Sequence, residues 1–87
     1  MITKAAVLIY DKRQEKNIIL PVHRHGDAFF ILKQFGYQKN IDYEEISQGF
    51  LDEYNNYYSR LEAHQHAIAC GQLFPQPANE LYSEDLW

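Results

Sequence analysis

A wholly polar stretch, residues 11–17, separates two short apolar runs, residues 5–10 and 18–22, and the second run is rich in β-branched side chains. Two strand-length runs joined by polar residues predict a β-hairpin at the head of the chain. The segment His23-Arg24-His25-Gly26-Asp27 follows, after which Ala28, Ile31, Leu32 and Phe35 recur at helical spacing up to Gly36. This predicts a short helix with Asp27 as its N-cap, the carboxylate accepting free amides of the first turn, and Gly36 at a left-handed stop. Residues 39–47 are polar and acidic without a clear period, and read as a connector.

Gln48-Gly49-Phe50-Leu51 then predicts a strand that Asn55-Asn56 turns back into Tyr57-Tyr58, a second hairpin. Ser59-Arg60-Leu61-Glu62 is a capping box, with Tyr58 and Ala63 placed for a hydrophobic staple, and a second helix runs through His64, Ala67, Ile68 and Cys70 to Gly71. Pro75 and Pro77 exclude helix or central strand beyond it, so residues 79–87 form an extended tail with Leu81, Tyr82, Leu86 and Trp87 as apolar anchors. The order predicts an α+β fold: a small antiparallel sheet from two hairpins, two helices on one of its faces, and an extended C-terminal tail. Residues 1–74 form a single domain in this reading and residues 75–87 a docking tail.

At 87 residues the chain has room for one domain with a large share of its surface exposed, which makes a homo-oligomer the expected state. Seven tyrosines and five phenylalanines supply a core and leave aromatic groups for contacts with a subunit or a planar ligand. A net charge of -4 opposes unspecific attraction to a nucleic-acid polymer or an anionic membrane, although a local basic spot can still bind a small anion. The lone Cys70 excludes an intramolecular disulfide framework and fits a reducing compartment, and the short apolar run at the start resembles neither a signal peptide nor a membrane span. The expected location is the cytoplasm of the cell in which the chain is made.

Two places carry candidate ligand chemistry. The first is His23, Arg24, His25 and Asp27, where a helix start offers free amides and a positive dipole end, and a guanidinium can grip a phosphate; Asp27 either caps the helix or accepts from a ribose hydroxyl. The second is Tyr57, Tyr58 and Arg60, where the arginine opposes the helix dipole and is expected to pair with a ligand phosphate or with the acidic tail at Glu84 and Asp85. A capped, solvated turn with surface histidines remains the plain alternative for the first, and the pairing of Arg60 with the tail that for the second. His64 and His66 point about 200° apart on a helix and cannot clasp one ion, and His23 with His25 lacks a third ligand, so no metal and no cofactor is expected. Phosphate loops, nucleophile elbows and metalloprotease motifs are absent from the sequence.

Several of these segments together carry a resemblance: Arg24-His25, Asp27, Gly49-Phe50, Arg60-Leu61-Glu62-Ala63, Gly71-Gln72 and Leu81-Tyr82-Ser83-Glu84-Asp85-Leu86-Trp87. The chain resembles a family of very short phage and prophage proteins with this pattern. It departs from the pattern at Ser59, where an aspartate is expected, and either residue caps a helix well. The resemblance implies a viral or mobile-element origin and brings no catalytic mechanism. Joined to the anion-ready helix start and the tyrosines, it leads to the expectation of a non-enzymatic phage protein. Such a protein would bind and sequester a small phosphorylated nucleotide signal of host defence, of the cyclic-nucleotide or ADP-ribose type. The alternatives are a protein-binding inhibitor or virion-associated adaptor, and a small nucleotide hydrolase.

Overall fold

The computed structural model describes residues 1–73 and 81–82. Strands β1 (Ile2–Asp11) and β2 (Lys16–Val22) form one antiparallel hairpin, followed by helix α1 (His25–Gln34). Strands β3 (Tyr43–Asp52) and β4 (Tyr57–Ser59) form the second, followed by α2 (Arg60–Ala69). The hairpins join through an antiparallel β1–β3 pairing, giving the sheet order β2-β1-β3-β4. This is the α+β fold that the residue pattern predicts, and it is built as two successive ββα units.

Alternation along β1 sets the two faces of the sheet. Ala5, Val7 and Ile9 point to one side and join Val22 and Phe50, and the buried Ala28, Leu32, Ala63 and Ala67 of the two helices close over the same side. Val22, Ala5, Phe50 and Tyr58 are consecutive cross-strand neighbours in one row, so the residues just before both helices leave the sheet at the same level. Phe50 is fully buried at the centre of the core, a contribution of about 1.5–3 kcal/mol.

Each hairpin turns on a buried aspartate at the end of a ten-residue strand. Asp11 Oδ1 accepts the Arg13 and Gln14 amides at 2.8 and 3.2 Å, and its Oδ2 accepts the Tyr37 hydroxyl at 3.0 Å. Asp52 Oδ1 accepts the Tyr54 and Asn56 amides at 2.8 and 2.9 Å, and its Oδ2 accepts Asn56 Nδ2 at 3.1 Å and the Tyr58 hydroxyl at 2.9 Å. Burial opposes ionisation of Asp52, but the bonds from Asn56, Tyr58 and Tyr54 outweigh it and hold the carboxyl well below the usual carboxylate range.

The helix ends follow their sequence signals. Ser59 Oγ accepts the Glu62 amide at 3.2 Å while Glu62 Oε1 accepts the Ser59 amide at 3.0 Å, the reciprocal capping box. Gly36 and Gly71 both sit at φ 78°, and the next amides, Tyr37 and Gln72, donate to Leu32 O and Ala67 O at 2.9 and 2.7 Å. Only glycine adopts that conformation without steric cost.

Two expectations are corrected. Asp27 is not the N-cap of α1: Arg24 holds that position in extended backbone, and Asp27, three residues on, accepts the Arg24 amide at 3.3 Å. The helix start lies three residues earlier than expected, with the buried His25 as its first residue. The second correction concerns residues 39–47, which are not all connector, because β3 begins at Tyr43. A register irregularity leaves Ile46 between the pairs Ile9↔Glu45 and Leu8↔Ser47, which breaks the period-two pattern by which a strand is recognised. Of the expected tail anchors, Leu81 is fully buried, its amide donating to Arg60 O at 2.9 Å. Leu86 and Trp87, with residues 75–80, lie outside the described residues.

Candidate ligand pocket

A cavity of about 500 Å³ opens beside α1 and the start of β3, lined by Phe29, Lys33, Tyr37, Gln38, Lys39, Ile41 and Tyr43. Phe29 and Lys33 stand one helical turn apart on α1, Tyr43 opens β3, and the others come from the loop released by Gly36. Arg13, in the β1–β2 turn, fastens that loop. Its guanidinium lies 4.2 Å from the Tyr37 ring centroid, donates through Nη2 to Gly36 O at 2.9 Å, and through Nε to Asp42 Oδ1 at 3.0 Å. Asp42 Oδ2 accepts the Gln38 amide at 2.7 Å. That amide bond first, and Arg13 second, hold the Asp42 carboxyl below its ordinary range.

The pocket combines aromatic surface with cations. The Tyr37 and Tyr43 rings lie 6.5 Å apart, and Lys39 Nζ sits 5.2 Å from the Phe29 centroid and 3.9 Å from Glu45 Oε1. Burial, with a smaller push from Glu45, raises the Tyr43 hydroxyl, so it stays a neutral donor at physiological pH. No carboxylate, imidazole or thiol lines the cavity among the described residues.

A second, more polar cavity of about 410 Å³ lies where β4 stops short along β3, lined by Glu45, Ser47, Gln48, Ser59, Arg60 and Leu61. Arg60 is already engaged there: Nη1 donates to Leu81 O at 2.8 Å, Nη2 to Gln48 Oε1, and its guanidinium lies 4.6 Å from the Tyr82 ring centroid. Glu84 and Asp85, the expected acidic partners, lie outside the described residues.

The seven residues singled out from sequence fall in different surroundings. His23 and Asp27 are exposed at the start of α1, and Arg24 is half-buried beside them. His25 is turned into the core, 6% exposed, edge-on to Phe50 at 5.0 Å and with Nε2 2.7 Å from Gly49 O. A carbonyl only accepts, so Nε2 carries the proton. Tyr58 faces the core too and stacks on His66 at 4.8 Å. Tyr57 lies on the opposite face, its hydroxyl 2.6 Å from Ser47 Oγ. The two helix starts nevertheless meet, because Gly49, bonded to His25, pairs with Ser59, the cap of α2.

The pocket residues were missed by motif reading. Lys33 and Lys39 are scattered single lysines in sequence, and only the fastened loop brings them to one rim. The spacing of Phe29 and Lys33 on a helix was the one local signal available.

The chain matches the family described as Phage T4 y16D protein over residues 1–87. It belongs to that family. Neither a curated protein nor a solved structure matches it. Among the described residues no helix is long and apolar enough to cross a membrane, and no cluster of three or more His, Cys, Asp or Glu is placed to hold a metal ion.

Proposed function

We propose that this phage protein captures a small phosphorylated nucleotide, of the cyclic-nucleotide or ADP-ribose type used as a signal in host antiviral defence, and holds it unchanged. The observation that carries the reading is the pocket in which the half-buried Phe29 and Tyr37 offer stacking surface, with the buried Tyr43 behind them, beside Lys33 and Lys39. A base stacks on such rings and a phosphate is drawn to such ammonium groups. The described lining supplies no general base and no nucleophile of the acidic, imidazole or thiol kind, which favours retention over turnover.

The α1 start is the lesser seat for the ligand. His25 is committed to Gly49 O, and Asp27 places its own negative charge at the helix end.

Calorimetry of the full chain against cyclic dinucleotides and ADP-ribose derivatives tests the reading. Saturable binding is expected, with the ligand recovered intact after heat release of the protein, and at least ~10-fold weaker binding in Lys33→Ala/Lys39→Ala. Absence of heat from every ligand, or turnover during incubation, would sink it.

A further inference from the structure

Two side chains of the pocket offer directed hydrogen bonds that the described residues do not use. Tyr43 is 3% exposed and lines the cavity, and its hydroxyl bonds to no described residue. That hydroxyl is not enclosed by protein, so the partner that a buried polar group calls for comes from the cavity. Gln38 is the second. Its backbone is pinned on both sides, the amide donating to Asp42 Oδ2 at 2.7 Å and the carbonyl accepting the Asp42 and Ile41 amides at 2.8 and 3.2 Å. Its side chain lines the cavity and bonds to no described residue. A fixed backbone thus presents a spare carboxamide, an acceptor and a donor side by side in one plane.

The carboxylates beside the lining residues are engaged elsewhere. Asp42 serves Arg13 and the Gln38 amide, and Glu45 accepts Gln48 Nε2 at 3.2 Å and lies 3.9 Å from Lys39 Nζ; neither lines this cavity. That distinction separates the purines. The pairing edge of guanine presents two adjacent donors, a ring N–H and an amine, which a carboxylate matches. Adenine presents an amine donor beside a ring-nitrogen acceptor, which a carboxamide matches on both counts.

We infer that the base taken by this pocket is adenine, its amine and neighbouring ring nitrogen paired with the Gln38 carboxamide and another ring nitrogen accepting from the Tyr43 hydroxyl. The inference rests on the nucleotide reading above and adds to it the identity of the base. Lys33 and Lys39 are left for phosphate. A site built to pair with a base edge rejects a base that leaves its polar groups unmatched, so Gln38 is the specificity-determining residue.

Calorimetry of the full chain with two matched pairs, cyclic AMP against cyclic GMP and cyclic di-AMP against cyclic di-GMP, tests the inference, because within a pair only the base differs. The adenine member that binds is expected to do so about 10-fold or more tightly than its guanine counterpart. Gln38→Glu, on an exposed loop position, should bring that ratio to about one or reverse it, since a carboxylate matches guanine; its repulsion of phosphate acts on both members and cancels in the ratio. Tyr43→Phe should weaken the adenine ligand about 5-fold with an unchanged far-ultraviolet spectrum. Binding without base preference, guanine bound the more tightly by the wild type, or a ratio that survives Gln38→Glu overturns the inference and leaves nucleotide capture standing. Absence of heat from all of these ligands and from ADP-ribose overturns both.

Discussion

The first ββα unit, β1-β2-α1, and the second, β3-β4-α2, share their load-carrying details and differ in what they expose. Both hairpins turn on a buried aspartate that accepts turn amides and a tyrosine hydroxyl. Both helices run ten residues, carry an acidic residue at the third position and a fully buried alanine at the fourth, and stop at a left-handed glycine. These shared features are the ones backbone hydrogen bonding and close helix–sheet contact demand. The differences are elsewhere: β2 spans seven residues and covers its side of β1, whereas β4 spans three and leaves the upper part of β3 to a cavity. The tyrosine that serves Asp52 comes from the adjacent strand, while the one that serves Asp11 comes from beyond α1 and so ties the pocket loop to the first hairpin. One unit is closed by its own hairpin; the other builds a pocket in closing.

The comparison can be broken most severely at Gly49, where the units meet. A Cβ there would run into the backbone oxygen of Tyr58 and the ring of Tyr57, so Gly49→Ala should cost more than about 3 kcal/mol in urea unfolding. A loss under about 1 kcal/mol would show that β4 can move aside, and that the meeting point is loose.

The two aspartates come next. Asp52→Asn should lower the melting temperature by several degrees, more than Asp11→Asn, because Asp52 accepts four hydrogen bonds against three. Its carboxyl titrates below the unfolded value of about 3.9, so its stabilisation is complete above that pH and is lost as the pH falls below it. Stability measured from neutral to acid pH should therefore fall below about pH 4 in the wild type and fall less steeply in Asp52→Asn. Parallel acid limbs would mean that Asp52 keeps no special pKa.

Ser59→Ala should remove about 1 kcal/mol by opening the α2 capping box, read by urea denaturation. The smallest expected effect is that of Arg13→Ala. It should leave the melting temperature nearly unchanged while weakening, a few-fold in calorimetry, the nucleotide binding proposed above, since Arg13 fastens the pocket loop from an exposed position. Equal losses of stability and binding would instead make Arg13 part of the general scaffold.

Much of this architecture was legible residue by residue. The first hairpin, the Asn55-Asn56 turn, the Ser59–Glu62 box and the two glycine stops are local interactions, each satisfied within a few residues of its own signal. The start of β3 was illegible because its backbone is satisfied by β1, far away in sequence, and its bulge at Ile46 hides the alternation. The α1 cap was misplaced by the same cause at smaller scale: His25 is drawn inward by Gly49 O and Phe50, contacts no local pattern announces. The kinship of the two units was equally hidden, since it lies in roles, such as Asp27 with Glu62 and Ala28 with Ala63, and not in matching strings.

His23, Arg24, His25 and Asp27 are adjacent in sequence, and adjacency made them look like one site. Sequence alone determined the fold class, the positions of the turns and stops, and the aromatic and charged residues available to a ligand. Tertiary structure decided which of them face a cavity: it turned His25 and Tyr58 inward, engaged Arg60 with Leu81, and gathered Lys33, Lys39 and three aromatic rings around one opening. The physical reason is range. Caps and turns are closed by hydrogen bonds between near neighbours, whereas a pocket is the space left when distant segments pack, and Arg13, Tyr37 and Asp42 had to meet before that space had walls.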